Sequence, residues 1–263
     1  MKLKRSFLIQ SLLIALSFSS SLFAAKDISV LCYHRFGTEV KDSMTVTNAN
    51  FESHLKFLKE HGYTVIALDT AERFLRGEIK SIPDKAVVIT VDDGHKSVYT
   101  DMAPIVKKYN VPVTLFIYPS AISNAKYAMT WDQLRALESS KLFNIGSHML
   151  WHPNFKQEKK KLSKEEYEKF ADNQLIKSKS VLEKKMGHEV KHLAWAYGIY
   201  DADLEQRALK AGYSIALTID RRPANKGEFM MAQPRYLMVN GDNVKRFEAV
   251  VTNRSKTINV AMK

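Results

Sequence analysis

The segment AVVITVDDG, residues 86–94, runs an apolar, β-branched stretch into two neighbouring carboxylates, Asp92 and Asp93. Successive side chains of a strand point to opposite faces. Where the strand ends the chain turns, and Gly94 permits a sharp turn. Both carboxylates can then reach one pocket, one binding a cation and the other free as a base. The plainer alternative is a helix N-cap and a dipole partner for a helix starting near residue 97. GSHMLWHP, residues 146–153, sets His148 and His152 four apart. That spacing suits two imidazoles on one metal, or two surface histidines flanking a turn. Joined to Asp93 they give one carboxylate and two imidazoles, which leaves a tetrahedral cation an open position for water or substrate. Such a cation polarises a carbonyl and acidifies bound water. In HLAWAYGIYD, residues 192–201, Tyr197–Gly198 ends a strand. A backbone N–H there can face an oxyanion, or the pair is an aromatic strand end with its turn glycine. VLCYHRF, residues 30–36, puts His34 at the end of the first strand. There it is structural, or it stands opposite Asp92 if the strand ends close into a rim.

These residues need strands to present them together. FLKEHGYTVIAL (57–68), IVKKYNVPVTLF (105–116) and ALKAGYSIALTI (208–219) share one grammar. Each is the end of an amphipathic helix, then Gly62, Asn110 or Gly212 as a left-handed stop, then a short β-branched strand. Strands are expected at 28–33, 63–67, 86–92, 112–118, 142–147, 192–197, 214–219 and 235–239. Helices are expected at 50–61, 69–76, 97–109, 131–139, within 163–186, at 201–211 and at 243–252. Thr130 and Gln133 form a capping box for the helix at 131, and 148–162 reads as a polar loop. Alternation of this kind gives an α/β fold with a parallel sheet, open or closed to a barrel. Sites on either form lie at the carboxyl ends of the strands. Asp92, Asp93, His148, Tyr197 and His34 all fall there.

The 263 residues, 45% of them apolar, suffice for a sizeable core. MKLKR, then an apolar stretch, then AAKD, resembles a secretory signal peptide over 1–25 cut after Ala24 or Ala25, the alternative being a retained anchor. A single domain over 26–263 and an exported, periplasmic or secreted location follow. Loss of the leader lowers the formal charge from +12 to +9, 37 basic against 28 acidic residues. A basic exported protein suits peripheral association with an anionic envelope surface. No basic-aromatic motif supports nucleic acid as a partner. Much of the excess charge lies in KQEKKKLSKEEYEK, residues 156–169, a solvated helix by its mixed signs. Cys32 is the single cysteine, so no internal disulfide forms.

TVDDG (90–94), SHMLWHP (147–153) and AWAYG (194–198), in this order and spacing, resemble the motifs of the polysaccharide deacetylases of carbohydrate esterase family 4. The resemblance covers roughly residues 28–250. Within that family YHRF (33–36), MTWDQLRAL (129–137) and QPRYLMVNG (233–241) are most similar to the poly-N-acetylglucosamine deacetylases of biofilm matrices. The resemblance implies a distorted (β/α) barrel with permuted motif order. It also implies Asp92 as general base, Asp93, His148 and His152 as metal ligands, and the Tyr197 N–H as an oxyanion donor. The family's late Leu-x-His acid is absent, since no histidine follows His192. His34, in the early Tyr-His of the permuted members, takes that role. Ala194 stands where many members carry an arginine that orients the base, and Arg235 is a substitute for it. Trp131 and Arg235 are the substrate-side candidates. Val91 replaces a usual phenylalanine, His95 has no assigned role, and Ala196 replaces a proline whose fixed φ would stiffen the oxyanion loop.

The expected reaction is metal-dependent removal of N-acetyl groups from a glycan polymer by a monomer. Poly-N-acetylglucosamine leads as substrate and peptidoglycan follows. Zinc is the default for a mixed nitrogen and oxygen site, with nickel, cobalt or iron able to bind the same donors. A catalytically weak carbohydrate-binding protein on the same fold is the alternative, resting on Ala196. A glycoside hydrolase fits less well, because its carboxylates flank a bond about 5–9.5 Å apart and Asp92 and Asp93 are adjacent.

Overall fold

The computed structural model describes residues 27–252, and the leader expected over 1–25 lies outside them. The strands are β1 Ser29–Tyr33, β2 Arg35–Gly37, β3 Thr45–Thr47, β4 Thr64–Val65, β5 Ala86–Asp92, β6 Val113–Ile117, β7 Phe143–Ser147, β8 His192–Ala194, β9 Ile215–Leu217 and β10 Tyr236–Leu237. The helices are α1 Asn48–Glu60, α2 Leu68–Leu75, α3 Ala103–Tyr109, α4 Trp131–Ser139, α5 Phe155–Lys161, α6 Lys164–Met186, α7 Ala202–Lys210 and α8 Val244–Val251. The three stops expected from sequence are left-handed: Gly62 at φ 70°, Asn110 at φ 51° and Gly212 at φ 85°. The capping box at Thr130 is formed, with Thr130 Oγ1 accepting from Gln133 N and Gln133 Oε1 accepting from Thr130 N.

The main sheet runs β10-β1-β5-β6-β7-β8-β9, with β4 beside β5, and its pairings are parallel. Residues 233–237 close the ring. Gln233 bridges Leu217 of β9, its N–H donating to Ala216 O and its carbonyl accepting from Thr218 N. Tyr236 and Leu237 then pair with Leu31 and Cys32 of β1. One short, interrupted segment thus joins the two edges, and the expected distorted (β/α) barrel results.

Strand alternation sorts the side chains. Val87, Ile89 and Val91 of β5 pack in the large layer between strands and helices. Val88 joins Val30, Phe116, Ala194 and Leu217 inside the barrel, closed below by Leu68, Ala71 and Phe74 of α2. Thr90 and Asp92 continue that inner face upward and are buried. The apolar floor and the polar upper interior make the carboxyl-end rim the one place where β5 can carry charge.

Several elements differ from expectation; β2 and β3, a separate parallel pair, are not expected from sequence, and the strand expected at 192–197 ends at Ala194, where a turn over Ala196–Gly198 follows. The stretch read as a polar loop contains α5, because Asn154 caps it and Phe155 anchors it in the core. The helix expected at 97–109 opens with a π turn over Val98–Met102. Pro104 lacks the N–H that an α-helix would offer the carbonyl of Thr100, and the Ala103 N–H bonds Val98 O instead. The strand expected at 235–239 shortens to β10, which frees Arg235 from strand pairing.

The helix layer is pinned by a buried histidine. His54 of α1 bonds the Tyr33 hydroxyl through Nδ1 at 2.9 Å and Asp242 O through Nε2 at 2.6 Å, and stacks on Phe247 of α8 at 4.1 Å. Burial holds its imidazole below the usual 6.5, against weaker opposing effects of Asp242. The neutral form is therefore favoured in the fold. Its contribution is complete above pH 6.5 and declines as pH falls through the lowered folded value. Urea midpoints measured at pH 7.5 and pH 5 should drop on acidification, and the drop should be smaller in His54→Gln.

Candidate active site

The carboxyl ends of β1, β5, β6, β7 and β8 open onto a cavity of about 370 Å³, lined by His34, Asp92, Asp93, His148, His152 and Tyr197 among others. Six of the eight residues singled out from sequence therefore line one cavity. Asp92 closes β5 on the inner face, and Asp93 follows at φ 75°. Aspartate tolerates this left-handed conformation better than most residues, and the turn brings the second carboxylate round to the same space. Gly94, at φ 74°, continues the turn where a Cβ would sit 3.0 Å from Ile122 Cδ1.

Asp92 is 2% exposed and Arg235 0% exposed. Two guanidinium nitrogens donate to the two carboxylate oxygens, each at 2.8 Å. Arg235 also donates to Thr90 Oγ1 and, through Nε, to Thr218 O. The Cys32 thiol donates to Asp92 Oδ2 at 3.4 Å. Burial by itself would disfavour the Asp92 carboxylate, but the Arg235 charge overrides it and holds the group well below the usual carboxylate range. Burial keeps Cys32 a thiol. Arg235 is thus enclosed behind Asp92 and is not a substrate contact. The sequence reading of Arg235 as substrate-binding is corrected, because its donors are taken by Asp92, Thr90 and Thr218.

His148 directly follows β7 and is buried. Its Nδ1–H donates to Ala194 O at 2.8 Å, which leaves the lone pair on Nε2. That atom lies 3.7 Å from Asp93 Oδ1, and His152 Nε2 lies 3.6 Å from the same oxygen. Burial, then the neighbouring His148, push His152 down to about 4, which favours its neutral form. Asp93 Oδ1 is buried and has no hydrogen-bond partner. A tetrahedral ion with ligand bonds of about 2.1 Å separates its donors by about 3.4 Å. The orphaned oxygen and the two imidazoles fit a divalent cation by both spacing and donor type.

His34 stands on the other side of Asp92, with donor atoms of Cys32, His34 and Asp92 within 4.8 Å of one another. Its Nδ1 is buried without a partner. Burial lowers its pKa, while Asp92 and Asp93 oppose that shift. Tyr197 sits at φ 56°, ψ 12°, an exposed residue lining the cavity, with its ring edge-on to His152 at 4.3 Å. The turn at Ala196 is fastened without proline. Trp195 N donates to Leu217 O, Gly198 N to Trp195 O and Ile199 N to Ala196 O, and the Trp195 indole donates to Met231 O. His95 ties the Asp92–Gly94 turn to its surroundings. Its Nδ1 bonds Ser97 Oγ, which accepts from Phe36 N.

Trp131 is not among the residues lining the cavity. It begins α4, packs on the core, and has Lys185 Nζ 5.6 Å over its ring. Its assignment as a substrate residue is corrected on that ground. Trp131→Ala should change kcat/KM on a short oligomer by no more than about twofold per folded molecule, which steady-state kinetics would check. Tyr118, missed from sequence, closes the wall after β6, its hydroxyl 2.7 Å from that of Tyr127. Its position one residue past a strand end was the signal that could have found it.

A parallel barrel whose strand ends gather a carboxylate–arginine pair and a carboxylate with two lone-pair imidazoles has the arrangement of a cation-assisted hydrolase. The model of the polysaccharide deacetylase family matches residues 80–216, 137 of 263, and the chain belongs to that family. It is 25% identical over 224 residues to the YxkH protein of Bacillus subtilis, named for the same family, covering 85% of this chain and 76% of that one. It is 24% identical over 264 residues to the poly-β-1,6-N-acetyl-D-glucosamine N-deacetylase of Escherichia coli K12, covering 86% of this chain but only 39% of that one. The fold is also that of the Streptococcus pyogenes deacetylase PplD solved with acetate. The TM-score is 0.77 at 19% identity, covering 87% of this chain and 99% of PplD.

Proposed function

We propose that this chain is a cation-dependent N-deacetylase of N-acetylglucosamine units in an exported or envelope polysaccharide, with poly-β-1,6-N-acetylglucosamine as its substrate. The observation that carries the chemistry is the buried, unpartnered Asp93 Oδ1 between two lone-pair imidazoles, beside an ionised Asp92. The name of the Escherichia coli relative supports the substrate. Zinc suits the one-carboxylate, two-imidazole set; nickel, cobalt and iron bind the same donors. We place the activity in a domain over 26–263, acting as a monomer behind a cleaved leader at 1–25. Among the described residues no helix is long and apolar enough to cross a membrane.

A cation held by Asp93, His148 and His152 would supply the positive charge that polarises the acetamide carbonyl and acidifies a water. The chain's own residues do the rest. Asp92, kept ionised by Arg235, accepts the proton of the attacking water. Its weak basicity matches an acidified water, and its two bonds to Arg235 fix its direction. The Tyr197 N–H faces the developing oxyanion. His34 delivers a proton to the leaving nitrogen as the C–N bond breaks. The products are acetate and a glucosamine unit, and the water supplies the oxygen gained by the acetyl carbon.

The substrate is tested by acetate release from β-1,6-linked and β-1,4-linked N-acetylglucosamine oligomers and from peptidoglycan. Fastest release from the β-1,6 oligomers is expected. Preference for peptidoglycan would move the reading to a cell-wall deacetylase, and release from none would move it to a binding protein.

A further inference from the structure

The two imidazoles are carried by a loop that is poorly held by its own conformation. Met149 at φ 66° and His152 at φ 67° are both left-handed without being glycine. Each such residue costs about 1–2 kcal/mol, and Leu150 and Trp151 between them lie outside any helix or strand. What fastens this loop comes from α6. Gln174 is 2% exposed, and its Oε1 accepts from Leu150 N at 3.1 Å and from Trp151 N at 3.3 Å. Ser178, one helical turn on and fully buried, donates to Met149 O at 2.9 Å and meets Ser147 Oγ at 2.7 Å. Two polar side chains at i and i+4 on the buried face of an otherwise charged helix are costly unless satisfied. The Gln174 Oε1 and the Ser178 hydroxyl both find their partners in the segment 147–151, which leads directly into and out of His148.

We propose that Gln174 and Ser178 are positioning residues that hold the His148–His152 loop in its cation-binding conformation. α6 thereby sets the affinity of the site without touching cation or substrate. The pair acts as a clamp. Gln174 receives the two N–H groups between the histidines, and Ser178 holds the carbonyl that precedes them. Without the clamp the two left-handed residues relax, and His152, which is more exposed than His148, swings away from Asp93. This inference rests on the reading of Asp93, His148 and His152 as cation ligands.

The test uses the mature chain with Zn²⁺ and Co²⁺ as probes. Affinity is read by competition with a chromophoric chelator, and geometry by the visible spectrum of the cobalt form. Gln174→Met keeps the side chain's length and removes its acceptor. It should weaken Zn²⁺ binding about 10–100-fold, the usual effect of losing a group that orients a ligand, and should weaken the tetrahedral cobalt bands. Gln174→Glu keeps an acceptor for both N–H groups and should restore affinity to near that of the unaltered protein. Ser178→Ala should fall between the two. Thermal midpoints of the metal-free proteins separate a clamp from a fold defect. A Gln174→Met protein that melts like the unaltered chain yet binds Zn²⁺ more weakly supports the proposal. Equal Zn²⁺ affinity in the unaltered and Gln174→Met proteins overturns the clamp alone. Failure of the unaltered protein to bind any divalent cation overturns both the clamp and the reading beneath it.

Discussion

Arg235→Met is expected to lose about 3–5 kcal/mol of folding stability and nearly all activity. Arg235 and Asp92 are both enclosed in the barrel and joined by two 2.8 Å bonds. Removing the arginine leaves a buried carboxylate with the Cys32 thiol as its hydrogen-bond donor and His148 and His34 nearby. The Asp92 pKa then rises, since burial loses its largest opposing charge and only the weaker effects of His148 and His34 remain. The sign is clear for pH dependence. In the unaltered protein the depressed Asp92 pKa contributes stability that is present above the usual carboxylate range and lost only as pH falls below it. In Arg235→Met that contribution reverses, and the variant should be relatively less damaged at pH 5 than at pH 8. Denaturant unfolding at the two pH values checks this. The double variant Arg235→Met/Asp92→Asn should recover most of the loss, because the uncompensated charge is gone. A single variant as stable as the unaltered chain would show the pair to be dispensable.

Asp92→Asn should lower kcat by about 10²–10⁴-fold, the range of a lost general base, while leaving cation affinity within about tenfold of normal. Asp92 and Asp93 are neighbours in sequence, yet they face different partners. Asp92 Oδ2 lies 3.9 Å from His148 Nε2 but is saturated by Arg235 and Cys32, whereas Asp93 Oδ1 is free to bind. Loss of activity with the cation retained is therefore the signature of Asp92, and loss of both that of Asp93. Chelator competition beside steady-state kinetics separates them. Loss of cation from Asp92→Asn would place both carboxylates in the donor set and leave the site without an assigned base.

Much of the arrangement could be read from residues alone. Gly62, Asn110 and Gly212 each marked a helix stop, because few other residues accept positive φ cheaply. The repeated strand ends then forced Asp92, Asp93, His148 and Tyr197 onto one rim. What could not be read depended on contacts distant in sequence. The sequence offers Arg235 both as a replacement for an absent arginine and as a substrate residue. Nothing local shows that a guanidinium 143 positions from Asp92 lies buried against it. Thr90, a polar residue two places before Asp92 in an apolar run, was the available hint that this inner face receives a donor. Trp131 illustrates the opposite error. An aromatic near the expected rim invites a sugar-stacking role, yet its helix turns it onto the core and under Lys185. The strand at β10 is expected from sequence, but the bridge from Gln233 to Leu217 that completes the barrel's closure has no periodicity to detect. The clamp from Gln174 was hidden for a related reason, since α6 is charged along most of its length and its buried glutamine does not break any pattern.

The proposed function is cation-dependent deacetylation with Asp93, His148 and His152 as the cation ligands. Its most direct measurement is acetate release from β-1,6-linked N-acetylglucosamine oligomers by the chain from residue 26 onward. The protein would be run untreated, stripped with chelator, and stripped then resupplied with Zn²⁺, Ni²⁺ or Co²⁺, with Asp93→Asn alongside. Release that chelation abolishes, that at least one ion restores, and that Asp93→Asn lacks under every ion is the predicted result. Undiminished release from stripped protein, or from Asp93→Asn, would contradict it.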